Sequence, residues 1–492
     1  MFEVNIRISS YSKITKIKKV SQNLYINLGM KKFNRRKFLT TTALSSAAVS
    51  ISTGFIEDEN NSIPSNSSYM GDFVAPKIEK IRIAIIGVGS RGHGHTLQLA
   101  SIDGTEIVAI SDLHEELVDR SVSSCIKIAE GRHQNIARYF GDENKWKKML
   151  SEVKPDMVII ATNWNNHAKM AVESMKNGAH TFVEVPIAVT LKEMWEIVDT
   201  SEQTQKHCMM MENVNYGREE LLYLNLCRKG IIGDILHGEA AYIHDLRYQM
   251  KNEKTGEGVW RPYHLAKRNG NLYPTHGLGP VAQYMNLART DDQFNTIISY
   301  STPAIGRNKY AKENFSKENL WNNIDFRGGD LNTSIIKTTL GRTIMVQWDE
   351  TSPRPYSRLN LIQGTKGTLA GYPTRIALNE GVKGVTKDSH SWAEEEQLEE
   401  FFQEHEHPLY KRLGAVAKKM GGHGGMDFMM RYRMIECLRN GLPLDQNVYE
   451  GCFWSAVSPL SEASVAEGGM PQKFPDFTRG RWVNTNPLQI VS

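Results

Sequence analysis

Cysteine is scarce: 492 residues hold five, and Cys125, Cys208, Cys227, Cys437 and Cys452 lie far apart. An odd, scattered set without a C-x-x-C pair argues against a disulfide framework or a zinc site and predicts free, mostly buried thiols. Long apolar runs are missing too, since no stretch reaches the roughly 18 residues a membrane span requires. Charge of one sign is not in excess. The net charge is +4, from 59 Lys and Arg against 55 Asp and Glu, and much of it sits in residues 1–40. The remainder is near neutral, so electrostatics make no case for nucleic acid. Internal repeats and long low-complexity tracts are also lacking, which removes solenoids and arrays. What remains is ordinary globular composition, 40% hydrophobic and 23% charged, with length for two or three domains.

Residues 1–30 are basic and without clear periodicity. Asn34-Arg35-Arg36-Lys37-Phe38-Leu39 then precedes a small-residue, mildly apolar run over 40–55. Paired arginines ahead of such a run match a twin-arginine export signal. Residues 1–56 are therefore expected to be that signal with an N-terminal extension, Met30-Lys31-Lys32 making a compact start to it. The mature protein is expected to be periplasmic or secreted. No cysteine follows the apolar run, so no lipid anchor is expected. Residues 57–79 are polar, Ser/Asn-rich and carry Pro64 and Pro76, and read as a linker.

The folded part is organised around residues 81–92, where Ile81-Arg82-Ile83-Ala84-Ile85-Ile86 runs into Gly87-Val88-Gly89-Ser90-Arg91-Gly92. A short apolar run ending in glycines reads as a buried parallel strand. In the spacing G-x-G-x-x-G, Gly87 permits the tight turn, Gly89 lets backbone amides approach a pyrophosphate, and Gly92 lets the next helix pack closely. That helix offers its free N–H groups to phosphate. Twenty residues on, the apolar run 106–111 ends in Asp112, an acid placed to bond a ribose 2′-hydroxyl and repel a 2′-phosphate. NAD is the expected cofactor, over NADP.

Strand and helix patterns then alternate: helices over 115–129 and 144–151, a strand at 156–162, a helix to 179, a strand at 181–186, a helix over 191–203 and a last strand at 208–213. This predicts a doubly wound parallel sheet, an α/β Rossmann domain over 80–212, with Ser90-Arg91, Trp164–His167 and Glu184–Pro186 at one crevice. Beyond a helix ending at Arg228, the segments 235–243, 294–301, 333–340, 343–348, 359–363 and 367–371 alternate like strands. They predict an α+β domain over 213–492 with a largely antiparallel sheet. Residues 380–420 read as charged and irregular, with an acidic helix around 393–405. Gly421-Gly422-His423-Gly424-Gly425 reads as a turning loop before a helix over 426–440.

This combination resembles the Gfo/Idh/MocA oxidoreductase family, whose members mostly carry Glu-Lys-Pro where this chain has Glu184-Val185-Pro186. A valine moves no proton, which argues against sugar dehydrogenation of the usual type. Asn213-x-x-Tyr216-Gly217-Arg218, residues 238–247 and above all Tyr273-Pro274-Thr275-His276-Gly277-Leu278-Gly279-Pro280 resemble glycoside hydrolase family 109, a branch of it. That resemblance covers residue 80 to the C-terminus. It implies an NAD-dependent α-N-acetylgalactosaminidase acting on glycans with terminal α-linked N-acetylgalactosamine. It also implies a retaining route: oxidation at C3, removal of the C2 proton, elimination of the aglycone, addition of water and re-reduction.

The resemblance further implies that Gly87, Gly89, Ser90, Arg91, Gly92, Asp112, Trp164, Asn165, Asn166, His167, Glu184, Val185 and Asn213 form the NAD pocket. Tyr242, Arg261, Tyr273, Pro274, Thr275, His276 and Tyr356 would hold the sugar, with proton transfer by His276 and Tyr273 in undecided roles. His276 sits in what reads as a Pro/Gly-flanked loop, and His244 alternates with Tyr242 toward either the site or the core. No metal is expected, and no second carboxylate partner for ordinary glycosidase chemistry can be nominated from spacing. Open sheet faces in this family often pair, which allows a homodimer.

Overall fold

The computed structural model describes residues 67–128, 131–252 and 256–488. The expected export signal over 1–56 and residues 57–66 of the expected linker lie outside the described residues. Six short strands form the first sheet: β1 (Ile81–Ile86), β2 (Thr105–Ser111), β3 (Ala137–Tyr139), β4 (Met157–Ile160), β5 (His180–Val183) and β6 (Cys208–Met210). Their order is β3-β2-β1-β4-β5-β6, all parallel. β-branched and aliphatic residues buried on both faces drive these strands together, and helices cover them. The covering helices include α1 (Ser90–Ser101), α2 (Glu115–Ile128), α3 (Lys145–Val153), α4 (Trp164–Lys176) and α5 (Leu191–Thr204). Thr190 and Glu193 close a reciprocal capping box at the start of α5. The strand order reverses between β1 and β4, so the loops after these strands splay apart over a crevice.

The second sheet has nine strands in the order β14-β13-β12-β11-β7-β10-β9-β8-β15. They are β7 (Ile235–Ile243), β8 (Phe294–Ser301), β9 (Leu331–Thr338), β10 (Thr343–Asp349), β11 (Leu361–Gly364), β12 (Gly367–Ala370), β13 (Arg375–Leu378), β14 (Ala393–Glu394) and β15 (Gln472–Lys473). All pairs are antiparallel except β7 with β10, which run parallel. Helices α6 (Arg218–Arg228), α7 (Arg261–Lys267), α8 (Thr275–Tyr284) and α9 (Gly306–Asn314) precede or interrupt these strands. Then come α10 (Glu399–His405), α11 (Pro408–Met420), α12 (Met426–Asn440) and α13 (Val448–Ala466).

Four expectations change. The run around Tyr273–Pro280 is the helix α8, with Pro280 inside it, rather than a loop. The stretch 380–420 is less irregular than its composition implies, since α10 and α11 occupy most of its second half. The 19-residue α13 left no periodic signature because it is buried nearly all round, against β8 and α5. Finally, residues 67–79 do not hang free as a linker. Met70 and Ala75 are buried, the Met70 amide donates to the Tyr449 hydroxyl, and Tyr69 stacks on Tyr449. The five cysteines are free thiols, four of them buried.

The two cores do not follow the sequence boundary at 212. Leu409, Leu413, Phe428, Met429, Met434 and Leu438, from α11 and α12, pack with Ile81, Ile83, Leu99 and Ile110 of the first sheet and its helices. The C-terminal helices thus close one face of the N-terminal sheet.

Candidate active site

The turn after β1 is shaped for a dinucleotide. Gly87 sits at φ +86°, and a Cβ there would lie 2.6 Å from the Ala161 carbonyl oxygen. A Cβ on Gly92 would come within 1.8 Å of the Gly87 carbonyl oxygen, so α1 crosses the turn at a distance only glycine allows. Gly89, by contrast, has nothing within 4 Å of where a Cβ would be, leaving its backbone open at the start of α1. Asp112 follows β2; its carboxylate accepts from the Val88 amide at 2.7 Å and the His114 amide at 3.1 Å. Tight where the chain must turn and open where phosphate would lie, these residues fit the pyrophosphate and ribose of NAD.

An ion network binds this turn to the C-terminal helices. The Arg91 Nε donates to Glu184 at 2.6 Å, while its Nη atoms grip the two oxygens of Asp427 on α12 at 2.6 and 3.1 Å. Asn213 donates to the same Asp427 at 2.7 Å. His95 donates from Nε2 to Glu184 and accepts at Nδ1 from the Arg431 Nε at 2.7 Å. Burial, and then Arg431, push His95 down to about 4, so the ring is neutral and its tautomer fixed. Burial opposes ionisation of Glu184 and Asp427, yet the cations around them hold both carboxyls well below the usual range. A cleft of about 580 Å³ follows this seam, between Ser90, Arg91 and Gln98 on one side and Met420, His423 and Asp427 on the other.

The sugar-side residues converge on α8 and β7. A Cβ at Gly277 would stand 2.3 Å from the Ala241 nitrogen, so the helix lies directly on the strand and brings His276 beside Tyr242. Ring centroids of Tyr242 and Tyr273 are 4.7 Å apart, and those of Tyr273 and His276 4.9 Å. Arg261, at the start of α7, lies over Tyr273 at 4.4 Å and Trp164 at 5.2 Å, tied to Glu257 and to the buried Glu350. Burial, despite Arg261, raises the Tyr273 phenol well above its ordinary value, so it stays protonated. Tyr356 is 40% exposed on its Pro-flanked loop; its hydroxyl accepts from Arg358, and its ring stands 5.0 Å from His244. Pro274 precedes α8, Thr275 opens it, and the Thr275 hydroxyl is buried without a hydrogen-bond partner.

His167 is fully buried, with Nδ1 2.7 Å from the Pro186 carbonyl and Nε2 3.1 Å from the Thr162 carbonyl. Its ring braces the β4 and β5 loops, while Asn165 and Asn166, ahead of it on α4, are exposed and half-buried. Val185 is buried at the start of the Pro186 turn. One group was left open by sequence and another was missed. His244 does join the site, its Nδ1 3.0 Å from the Tyr242 hydroxyl. Glu212, next to the expected Asn213, places Oε1 2.7 Å from the His276 Nδ1. Its only signal was an acid at the carboxyl end of a parallel strand. Among the described residues no three His, Cys, Asp or Glu side chains are grouped to hold a metal ion.

A glycine-turn Rossmann sheet, with tyrosine and histidine from β7 and α8 beside its crevice, defines a two-domain NAD-binding protein of the oxidoreductase fold. Residues 81–212 match the oxidoreductase family with an NAD-binding Rossmann fold, and residues 216–484 match the C-terminal domain of glycosyl hydrolase 109. The fold is shared with the levoglucosan dehydrogenase complex with NADH and levoglucosan, at 16% identity and TM-score 0.59, over 80% of this chain and all of that one. A scyllo-inositol dehydrogenase from Lactobacillus casei aligns at 12% identity and TM-score 0.55, over 80% of this chain and 99% of that one. Glycosyl hydrolase family 109 protein 1 of Akkermansia muciniphila is 57% identical over 93% of this chain and 99% of its own length. The alpha-N-acetylgalactosaminidase of Shewanella oneidensis is 48% identical over 94% of this chain and its full length. The chain belongs to glycosyl hydrolase family 109 and is a glycoside hydrolase built on an NAD-binding domain.

Proposed function

We propose that this protein releases terminal α-linked N-acetylgalactosamine from glycans, with retention, by transient oxidation of the sugar. The observation that carries the reading is the arrangement of carboxylates around the aromatic cluster. Glu212 and Glu350 are 0% and 1% exposed on their side chains, the first bonded to His276 and the second to Arg261. A two-carboxylate glycosidase needs an acid and a base or nucleophile facing the scissile bond. Here a histidine and two tyrosines take that position, beside a dinucleotide crevice.

NAD, when bound, supplies the hydride acceptor at C3 and returns the hydride at the end of the cycle. The chain's own residues do the rest. The His276 Nε2, without a hydrogen-bond partner among the described residues, takes the proton that leaves the sugar. The protonated Tyr273 phenol donates to the oxygen on which charge develops, and Tyr242, Tyr356 and Arg261 shape the pocket. Loss of the C3 hydride, with the C3 hydroxyl proton passing to water, makes a ketone, which acidifies the C2 hydrogen that His276 then removes as a proton. Removing that proton expels the C1 aglycone, and water then adds at C1. The sum is hydrolysis with no net redox change. Support for the sugar comes from the name of the Shewanella oneidensis relative. Export through a twin-arginine leader belongs to the same proposal, resting on Arg35-Arg36; replacing both by lysine should strand the protein in the cytoplasm.

The test follows p-nitrophenol release from p-nitrophenyl α-N-acetylgalactosaminide in D₂O, together with absorbance at 340 nm. Release without net NADH and with deuterium at C2 is expected. Release without deuterium overturns the oxidative route, and NADH accumulation without p-nitrophenol means a plain dehydrogenase.

A further inference from the structure

We infer that Glu212 is a positioning residue for His276, holding the ring as its Nδ1–H tautomer and compensating the positive charge it gains when Nε2 accepts a proton. The inference rests on the reading of His276 as the proton-transfer group.

Glu212 follows β6 directly and is completely buried. Its Oε1 accepts from His276 Nδ1 at 2.7 Å and from the Val214 amide at 3.1 Å. Its backbone is fixed on both sides: its amide donates to the Met210 carbonyl at 2.9 Å, and its carbonyl accepts from Gln446 at 2.9 Å. The helix opposite makes room for the carboxylate. Gly279 lies three residues after His276, on the same face of α8. A Cβ there would stand 3.0 Å from the Glu212 Cγ and 2.9 Å from Asn215 Oδ1.

Several other buried acids are held by arginine, whereas Asp349 is satisfied by Ser352 and the Thr351 amide. Glu220, Glu450, Asp292 and Asp445 each hold an arginine, at 2.7, 2.8, 2.5 and 2.7 Å, and Glu350 holds Arg261. A buried carboxylate costs several kcal/mol unless a cation compensates it. Among the described residues the ionic partner of Glu212 is His276, a group whose charge changes, and its Oε2 is buried with no partner. The other titratable or charged groups around the ring are Tyr242 on β7 and His244 just past its end, Tyr273 ahead of α8 and, beyond it, Arg261 on α7. Among the described residues no second carboxylate is bonded to the ring. With Nδ1–H pinned to Glu212, only Nε2 can take the sugar's proton. The proton that Nε2 takes returns from it later in the cycle.

The test is Glu212→Gln in the NAD-loaded enzyme. A glutamine can still bond the ring, but through either its amide or its carbonyl, and it carries no charge. The expected result is a loss in kcat of about 10²–10⁴-fold, in the range seen when the acid that orients a catalytic histidine is neutralised. KM should change less than about threefold, NAD content should be unchanged, and the acidic limb of the kcat–pH profile should move to lower pH. Glu212→Asp should recover part of the loss. In a His276→Ala background, Glu212→Gln should add almost nothing. Full activity with an unmoved limb, or an undiminished further loss in the double variant, overturns the inference. If Glu212→Gln does not fold, the tautomer of His276 in the native enzyme, read from its ¹⁵N shifts, carries the test. Histidine ¹⁵N shifts give an arm independent of turnover: the native enzyme should show the Nδ1–H tautomer, and the variant a mixture of the two tautomers. Should His276→Ala keep its activity, the proton-transfer reading falls; the ¹⁵N shifts then judge Glu212 alone.

Discussion

His276 and Tyr273 sit within 5 Å of each other, ring to ring, yet their chemistry should separate on mutation. His276→Ala removes the nitrogen proposed to accept the sugar's proton and should lower kcat by about 10³-fold, within the usual range for a general base. NAD content should not change, because the ring touches neither the glycine turn nor Asp112. Tyr273→Phe keeps the ring against Arg261 and Tyr242 and deletes one donor. It should cost kcat about 10–100-fold, as expected for a hydrogen bond of about 1.5–3 kcal/mol to developing charge. Steady-state kinetics on the p-nitrophenyl glycoside check both. Equal loss from the two variants would mean that the tyrosine moves a proton itself. Arg261 belongs at this scale too: with its guanidinium between two rings and bonded to Glu350, Lys would not replace it, lacking the planar fork.

At the scale of elements, two contacts set the site. The first is α8 on β7 through Gly277. Gly277→Ala would gain helix propensity, but its methyl would collide with backbone atoms of Ala241 that cannot move aside. It should destabilise by about 1–3 kcal/mol, the cost of overpacking, and reduce kcat by displacing His276. Gly94→Ala on α1, where nothing lies within 4 Å of the new methyl, should be neutral or slightly stabilising. Thermal melts of the cofactor-free variants compare them. The second contact is α12 on α1 through Asp427 and Arg91. Asp427→Asn leaves Glu184 as the carboxylate on Arg91 and loosens α12 against α1 beside the glycine turn. NAD should then dissociate about 10–100-fold faster, measured by exchange against a fluorescent dinucleotide, for the loss of one charge-assisted pair. An unchanged rate would show that Arg91 orients itself through Glu184.

Across the whole molecule, buried neutral histidines make stability depend on pH. Burial pushes His95, His180 and His407 each down to about 4. In each, Nδ1 accepts a hydrogen bond, from Arg431, the His207 amide and the Leu409 amide respectively. A protonated ring could not accept it. The unfolded chain therefore binds more protons below about pH 6.5, and stability should fall as pH drops from there towards 4, each ring contributing up to about 3 kcal/mol. Glu184 and Asp427, held low by arginines, add a further loss below about pH 4. Thermal midpoints from pH 7.5 to 4 test this, and a flat profile between 7 and 5 would sink it.

The amino-acid order by itself determined the dinucleotide half. β-Branched runs, a G-x-G-x-x-G turn and an acid twenty residues on are local features, and local sterics fix what they become. The same is true of the Tyr273–His276 cluster as a set of residues, which the family's pattern marks out. It could not show that this run is a helix, because Gly277, Gly279 and Pro280 read as loop formers. They are instead the residues that let α8 lie against β7 and leave room for Glu212. Nor could it pair Glu212 with His276, 64 residues away, or Arg91 with Asp427, 336 residues away. It also gave no sign that α11 and α12 would complete the N-terminal core, since an apolar helix face does not name its partner. Periodicity and turn chemistry act over a few residues, so they specify elements. Which buried charge meets which cation, and which base is held in which tautomer, is decided only when packing brings distant segments within 3 Å in a low-dielectric interior.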